Sequence, residues 1–171
     1  GKIFQTGYEH LDYEDDIYVG YRYFETVPGA SEKVRYPFGF GLSYTKFELS
    51  GALCGESDGK IVATVTVKNV GGCRGKEIVQ LYYSAPQGKL GKPSKELAAF
   101  AKTKLLAPGE SQTVALSFDI NDMASFDDLG KVAKSAFVLE KGGYALYLGD
   151  SVRNTFKLDF EYYVSEDTVV R

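Results

Sequence analysis

The ten residues KIVATVTVKN, 60–69, decide the fold. Ile61, Ala63, Val65 and Val67 alternate with Lys60, Thr64, Thr66 and Lys68, so one face is apolar and the other polar. A period of two with one polar face predicts a half-buried antiparallel strand. The same period recurs downstream. Val79, Leu81 and Tyr83 share a face in EIVQLYYS (77–84), with Ile78, Gln80 and Tyr82 on the other. QTVALSF (112–118) turns Val114, Leu116 and Phe118 one way, and TFKLDFEYY (155–163) does so with Phe156, Leu158, Phe160 and Tyr162. AFVLE (136–140) and GYALYLGD (143–150) complete the set, while KELAAFAK (95–102) is ambiguous because Leu97 and Phe100 are three apart. GESDG (55–59), NVGG (69–72), APGE (107–110) and EKGG (140–143) separate the runs, and Pro108-Gly109 suits the centre of a type II turn. Seven or eight short strands at this spacing predict an all-β sandwich of about a hundred residues.

Composition agrees. The 171 residues are enough to bury a core without disulfides or metals. Aromatics reach 14%, carried by 13 Tyr and 11 Phe with no Trp, which favours strands. The net charge of -3, without a basic block, argues against a nucleic-acid partner. No apolar run approaches the ~20 residues of a membrane-spanning helix. The opening GKIFQTGYEH carries no signal-peptide pattern and does not resemble a natural N-terminus. Cys54 and Cys73 match no zinc spacing and are read as two small, half-buried thiols.

Residues 1–44 differ. DIYVGYRYF (16–24) reads as a strand with Ile17, Val19, Tyr21 and Tyr23 on one face, ETVPGASEKVR (25–35) as a polar loop. YPFGFGLSYTKF (36–47) holds five aromatics on no regular period, broken by glycine and proline, which predicts a loop packed against something else. This part is too poor in regular structure to form its own core and reads as an arm lying on the sandwich. The loop APQGKLGKPSK (85–95) reads as a mobile surface segment.

Candidate chemistry is sparse. His10, the one histidine, sits in a polar, acidic stretch as a bystander. The acids of Tyr13–Asp16 and Phe126–Asp128 read as solvated turns, since neighbours on an extended chain point to opposite faces. No serine lies in a G-x-S-x-G context. Tyr82 with Tyr147 could form a sugar-binding platform, so a carbohydrate-binding module stays open beside a structural or protein-interaction domain.

Four stretches carry a family resemblance: DIYVGYRYF (16–24), YPFGFGLSYTKFELS (36–50), VKNVGGCRGKEIVQLYYS (67–84) and KPSKELAAFAKTKLLAPGESQTVALSF (92–118). In that order they resemble the C-terminal region of glycoside hydrolase family 3, which includes bacterial and fungal β-glucosidases and β-xylosidases. The resemblance implies a fibronectin type III-like, immunoglobulin-type sandwich over about 45–163, within a domain 45–171, and a tail of a preceding α/β domain plus linker arm over 1–44. It implies as partners the barrel and α/β domains of a parent enzyme, whose substrate would be a β-linked glycoside, and no cofactor. The family's aspartate nucleophile, in a Ser-Asp-Trp context on the barrel, and its glutamate acid/base have no matching motif here, so no catalytic residue is carried over. Phe126 and Phe137 stand where many members have Trp, LGKVAKSA (129–136) carries no family signal, and SEDTVVR (165–171) lies past the expected sandwich. At the junction of two domains, Tyr21, Arg22, Tyr23, Tyr36, Phe38, Phe40 and Tyr44 are the expected docking residues, Arg22 holding a ring or a carboxylate.

Overall fold

The computed structural model describes residues 16–170. His10 and Tyr13 therefore lie outside the described residues. Seven strands make the sandwich: β1 (Phe47–Ser57), β2 (Lys60–Asn69), β3 (Ile78–Ser84), β4 (Glu96–Lys102), β5 (Ser111–Asp119), β8 (Gly142–Gly149) and β9 (Thr155–Val164). One sheet is ordered β1-β2-β5, the other β4-β3-β8-β9, and every pairing is antiparallel. β2 is the central strand of its sheet, and Ile61, Ala63, Val65 and Val67 are wholly buried, as the alternation predicts. They meet Val79, Leu81, Leu146 and Leu148 of the facing sheet in one core. Each such side chain stabilises the fold by about 1.5–3 kcal/mol through burial.

The turn at 107–110 is the expected type II. Gly109 has φ +79°, and the Glu110 amide donates to the Ala107 carbonyl at 2.9 Å. At the edge of the second sheet, Leu81 pairs with Ala99 but Tyr82 with Leu97, so Ala98 is an extra residue on β4. That bulge is why Leu97 and Phe100 defeat a period of two. Tyr144, wholly buried at the start of β8, donates its hydroxyl to the Glu140 carbonyl at 3.1 Å. This is a tyrosine corner, a bond that pins the chain where it crosses between sheets. Burial pushes the Tyr144 hydroxyl up to about 12, so it stays a donor.

A third small sheet, ordered β10-β7-β6, comes from β6 (Ser125–Asp127), β7 (Ala136–Leu139) and β10 (Thr168–Val170). Past the seven-stranded sandwich, residues 168–170 pair with β7, and Asp167 accepts bonds from the Lys141 amide and the Lys89 ammonium, each at 2.9 Å. This sheet corrects one expectation: Asp127 is no solvated turn residue. Its buried carboxylate accepts the amides of Gly130, Lys131, Val132 and Ala133 at 2.7–3.0 Å, and its carbonyl accepts that of Ser135. Desolvation opposes ionisation here, but the four N–H groups outweigh it and hold the carboxyl down at about 2.

The loop 85–95 is likewise anchored. Lys92 and Glu140 form an ion pair with side chains only 1% and 3% exposed. The Glu140 carboxylate also accepts the amides of Lys89 at 2.6 Å and Leu90 at 3.1 Å, while the Lys92 ammonium donates to the Pro86 carbonyl at 2.9 Å. A side chain at Gly88 would collide with Glu140. The loop's Gly and Lys content thus serves a buried latch rather than mobility.

Candidate functional site

The arm departs from its expected form. Residues 21–26 are a short helix, α1 (Tyr21–Thr26), entered through Gly20 at φ +56°, instead of a strand. A helical turn brings the Tyr21 ring and the Arg22 guanidinium onto the edge of the second sheet. Tyr21 stacks on Phe38, with centroids 4.5 Å apart, and meets Tyr82 edge-on at 6.5 Å. Its hydroxyl accepts the Leu97 amide at 2.9 Å. Arg22 holds Glu96 at 2.8 Å, a carboxylate of this same chain. Further along, the Ser94 amide donates to the Thr26 hydroxyl at 2.8 Å, and Arg153 donates to Glu25 at 2.8 Å and to the Ser31 carbonyl at 3.1 Å.

The turn through Phe38 and Phe40 is clamped too. The Val152 amide donates to the Phe38 carbonyl at 3.0 Å. Gly39, at φ +84°, lies so close to Gln80 that a Cβ would sit 2.5 Å from its Nε2. Gln80 is fixed in turn, donating to the Asp150 carbonyl at 2.8 Å and accepting the Tyr82 hydroxyl. The outer face of the four-stranded sheet is therefore sealed by the arm at Gln80 and Tyr82, while Ile78 on the same face stays exposed.

That sealing removes the tyrosine platform. Tyr82 is wholly buried, and the Lys95 ammonium lies 4.7 Å from the Tyr147 ring centre and 5.9 Å from that of Tyr82. Lys95 also donates to Thr155 at 2.7 Å and to the Val152 carbonyl at 3.1 Å, so the Tyr147 face is occupied by a fixed cation.

The arm's other side is open. Tyr44 is 99% exposed, Leu42 93% and Tyr36 66%, with Phe38, Phe40 and Tyr23 also partly outward. Tyr36 and Phe40 pack together at 5.1 Å. Of the seven expected docking residues, Tyr21 and Arg22 thus spend their polar groups inside this chain, while Tyr23, Tyr36, Phe38, Phe40 and Tyr44 keep ring surface outward. Leu42, absent from that set, is exposed in the same turn, between Gly41 and Ser43. Beside this ridge runs a groove of about 660 Å³ between the 37–43 turn and Lys76, Glu77, Lys102 and Asp150. Burial, with a smaller contribution from Asp150, raises the Glu77 carboxyl above its ordinary range against the opposing effect of the Ile78 amide.

Acids elsewhere are engaged structurally: Glu25 with Arg153, Glu96 with Arg22, Glu140 with Lys92, and Asp127 with backbone. Among the described residues no three His, Cys, Asp or Glu side chains gather as a metal site. Cys54 is half-buried and Cys73 exposed, both as free thiols, and burial pushes the Cys54 thiol up, away from a reactive thiolate.

Two antiparallel sheets in this order, with a tyrosine corner, define a fibronectin type III-like sandwich, and residues 77–152 match the family described as Fibronectin type III-like domain. Relatives extend the match across the arm. Beta-glucosidase A of Butyrivibrio fibrisolvens is 56% identical over 177 residues, covering 95% of this chain and 21% of that protein. A β-glucosidase structure from Paenibacillus barengoltzii superposes with a TM-score of 0.87 at 46% identity, over 98% of this chain and 19% of that one. Beta-glucosidase 3B of Thermotoga neapolitana, solved with α-D-glucose, does so at 0.81 and 41%, over 94% and 21%. The chain spans about a fifth of the length of these relatives, and over that fifth it is similar to β-glucosidases in a part that carries a fibronectin type III-like domain.

Proposed function

We propose that this chain is the accessory, non-catalytic C-terminal portion of a family 3 β-glucosidase, and that it braces the enzyme's catalytic barrel and α/β domains. In this reading residues 1–44 are the tail of the α/β domain and its linker, and 45–171 the sandwich. The observation that carries it is the two-sided arm. One side is locked to the sandwich through Tyr21, Arg22, Gly39 and Phe38, while Tyr36, Phe40, Leu42 and Tyr44 stand out as an apolar ridge. Isolated exposed apolar residues are ordinary, but four of them within residues 36–44 on a clamped turn suit an interface. The occupant is intramolecular: relatives carry about four-fifths of their length outside the matched part. A rigid brace serves this chemistry because retaining glycosidases hold two carboxyl groups about 5–5.5 Å apart.

The test is direct. The purified chain is expected not to hydrolyse aryl β-glucosides, and turnover that survives repurification overturns the non-catalytic assignment. A barrel domain in the same reading frame supports the parent enzyme, whereas stop codons at both ends favour a separate interaction domain.

A further inference from the structure

We propose that the groove between the β4 edge and the small third sheet binds a neutral β-linked oligosaccharide, with Phe126 and Phe137 as the stacking rings. The groove holds about 440 Å³, within the range of small-ligand sites. Phe126 and Phe137 face each other across β6 and β7, with centroids 5.2 Å apart at 60°, and each is 52% exposed. The edge-to-face pair keeps ring surface open to solvent. Hydrogens on the carbon-bound face of a β-pyranose carry partial positive charge and fit the negative face of such a ring.

The opposite wall supplies hydrogen bonds in fixed positions. The ion pair of Arg22 and Glu96 lines it, and Glu96 also accepts the Tyr83 hydroxyl at 3.2 Å. Arg22 spends one edge of its guanidinium on Glu96 and retains further N–H donors for hydroxyl groups. The lining carries one cation against two carboxylates: Arg22 is spent on Glu96, and Asp122 closes a capping box with the Asp119 amide at 3.3 Å. A phosphate or an acidic peptide would need an uncompensated cation here, whereas a neutral polyol does not. β-1,4-Linked chains are extended and present flat ring faces, whereas α-1,4-linked chains curl. None of these residues belongs to the ridge of Tyr36, Phe40, Leu42 and Tyr44, so this site and the bracing role stand or fall separately.

The test is an NMR titration of the ¹⁵N-labelled chain with cellotetraose. Saturable shifts are expected at amides of residues 94–98, 122–126 and 137. Phe126→Ala and Phe137→Ala should weaken binding by about three- to tenfold, the worth of one aromatic contact. Phe137→Trp should tighten it by enlarging the ring face, and Tyr44→Ala should leave it unchanged. Amide dispersion reports whether each variant folds. No saturable shift in the folded chain, shifts confined to other surfaces, or wild-type affinity in the folded alanine variants overturns the proposal. Should both alanine variants unfold, unchanged affinity in Phe137→Trp overturns it. Equal binding of maltotetraose overturns the assigned linkage. Any of these results leaves the bracing role intact.

Discussion

Replacing Lys92 by Met removes the ammonium from the buried latch and keeps most of its volume. The Glu140 carboxylate, with its side chain 3% exposed, would then face only the Lys89 and Leu90 amides. Removing one partner of a buried ion pair costs about 3–5 kcal/mol, because the other charge stays buried and uncompensated. For a chain of this size each kcal/mol shifts the melting temperature by about 2–4 °C, so a fall of about 6–20 °C is expected. The assay is urea and thermal unfolding at pH 7, followed by circular dichroism and tyrosine fluorescence. A double variant, Lys92→Met with Glu140→Met, should lose less than the sum of the two single variants. It should still fall short of wild type, since the Lys89 and Leu90 amides lose their acceptor. A loss below about 1 kcal/mol for Lys92→Met, the ordinary value of an exposed pair, would refute the reasoning that this loop is held by a buried charge.

Other perturbations have equally definite outcomes. Asp127→Asn should destabilise the chain at neutral pH. The carboxyl is held at about 2, below its ordinary 3.8, so its stabilisation is complete above about pH 4 and drains away as pH falls towards 2. The gap between wild type and variant in pH-dependent melting should therefore close over that window. Tyr144→Phe should cost about 1–3 kcal/mol by leaving the buried Glu140 carbonyl without its donor, measured by urea unfolding. Gly39→Ala places a Cβ against Gln80 at a positive φ, so the arm should lift. Hydrogen exchange at the Val152 and Leu97 amides, whose acceptors are the Phe38 carbonyl and the Tyr21 hydroxyl, should accelerate. Deleting residues 1–44 should leave the sandwich folded but less stable, because Tyr82 and Gln80 lose their cover.

Much of the sandwich was legible because its signal is local. Ile61 to Val67 alternate within one strand, and Pro108-Gly109 specifies its turn from two residues. What stayed hidden depends on contacts between distant residues. Six residues of α1 are under two turns, too short to show a helical period, and its placement follows from Tyr21 reaching Leu97. Lys92 and Glu140 lie 48 positions apart, and the glycines and lysines around Lys92 look like any solvated loop. Asp127 did leave a trace, since an aspartate three residues before Gly130 is turn chemistry, but nothing local reveals that four amides converge on it. The aromatic arm was legible as a motif. Which of its faces turn inward depended on Gln80, Tyr82 and Leu97, far along the chain.

The sharpest discriminator is a pair of melting curves for Leu42→Ser with Tyr44→Ser. In the 171-residue chain alone, where these side chains are 93% and 99% exposed, the substitutions should leave the melting temperature unchanged. If the proposed bracing role holds, the same substitutions in a longer protein that also carries the barrel and α/β domains should lower it and speed thermal inactivation, because the ridge would lose its neighbour. Unchanged stability in both contexts would contradict the account that this sandwich braces a catalytic body through its aromatic arm.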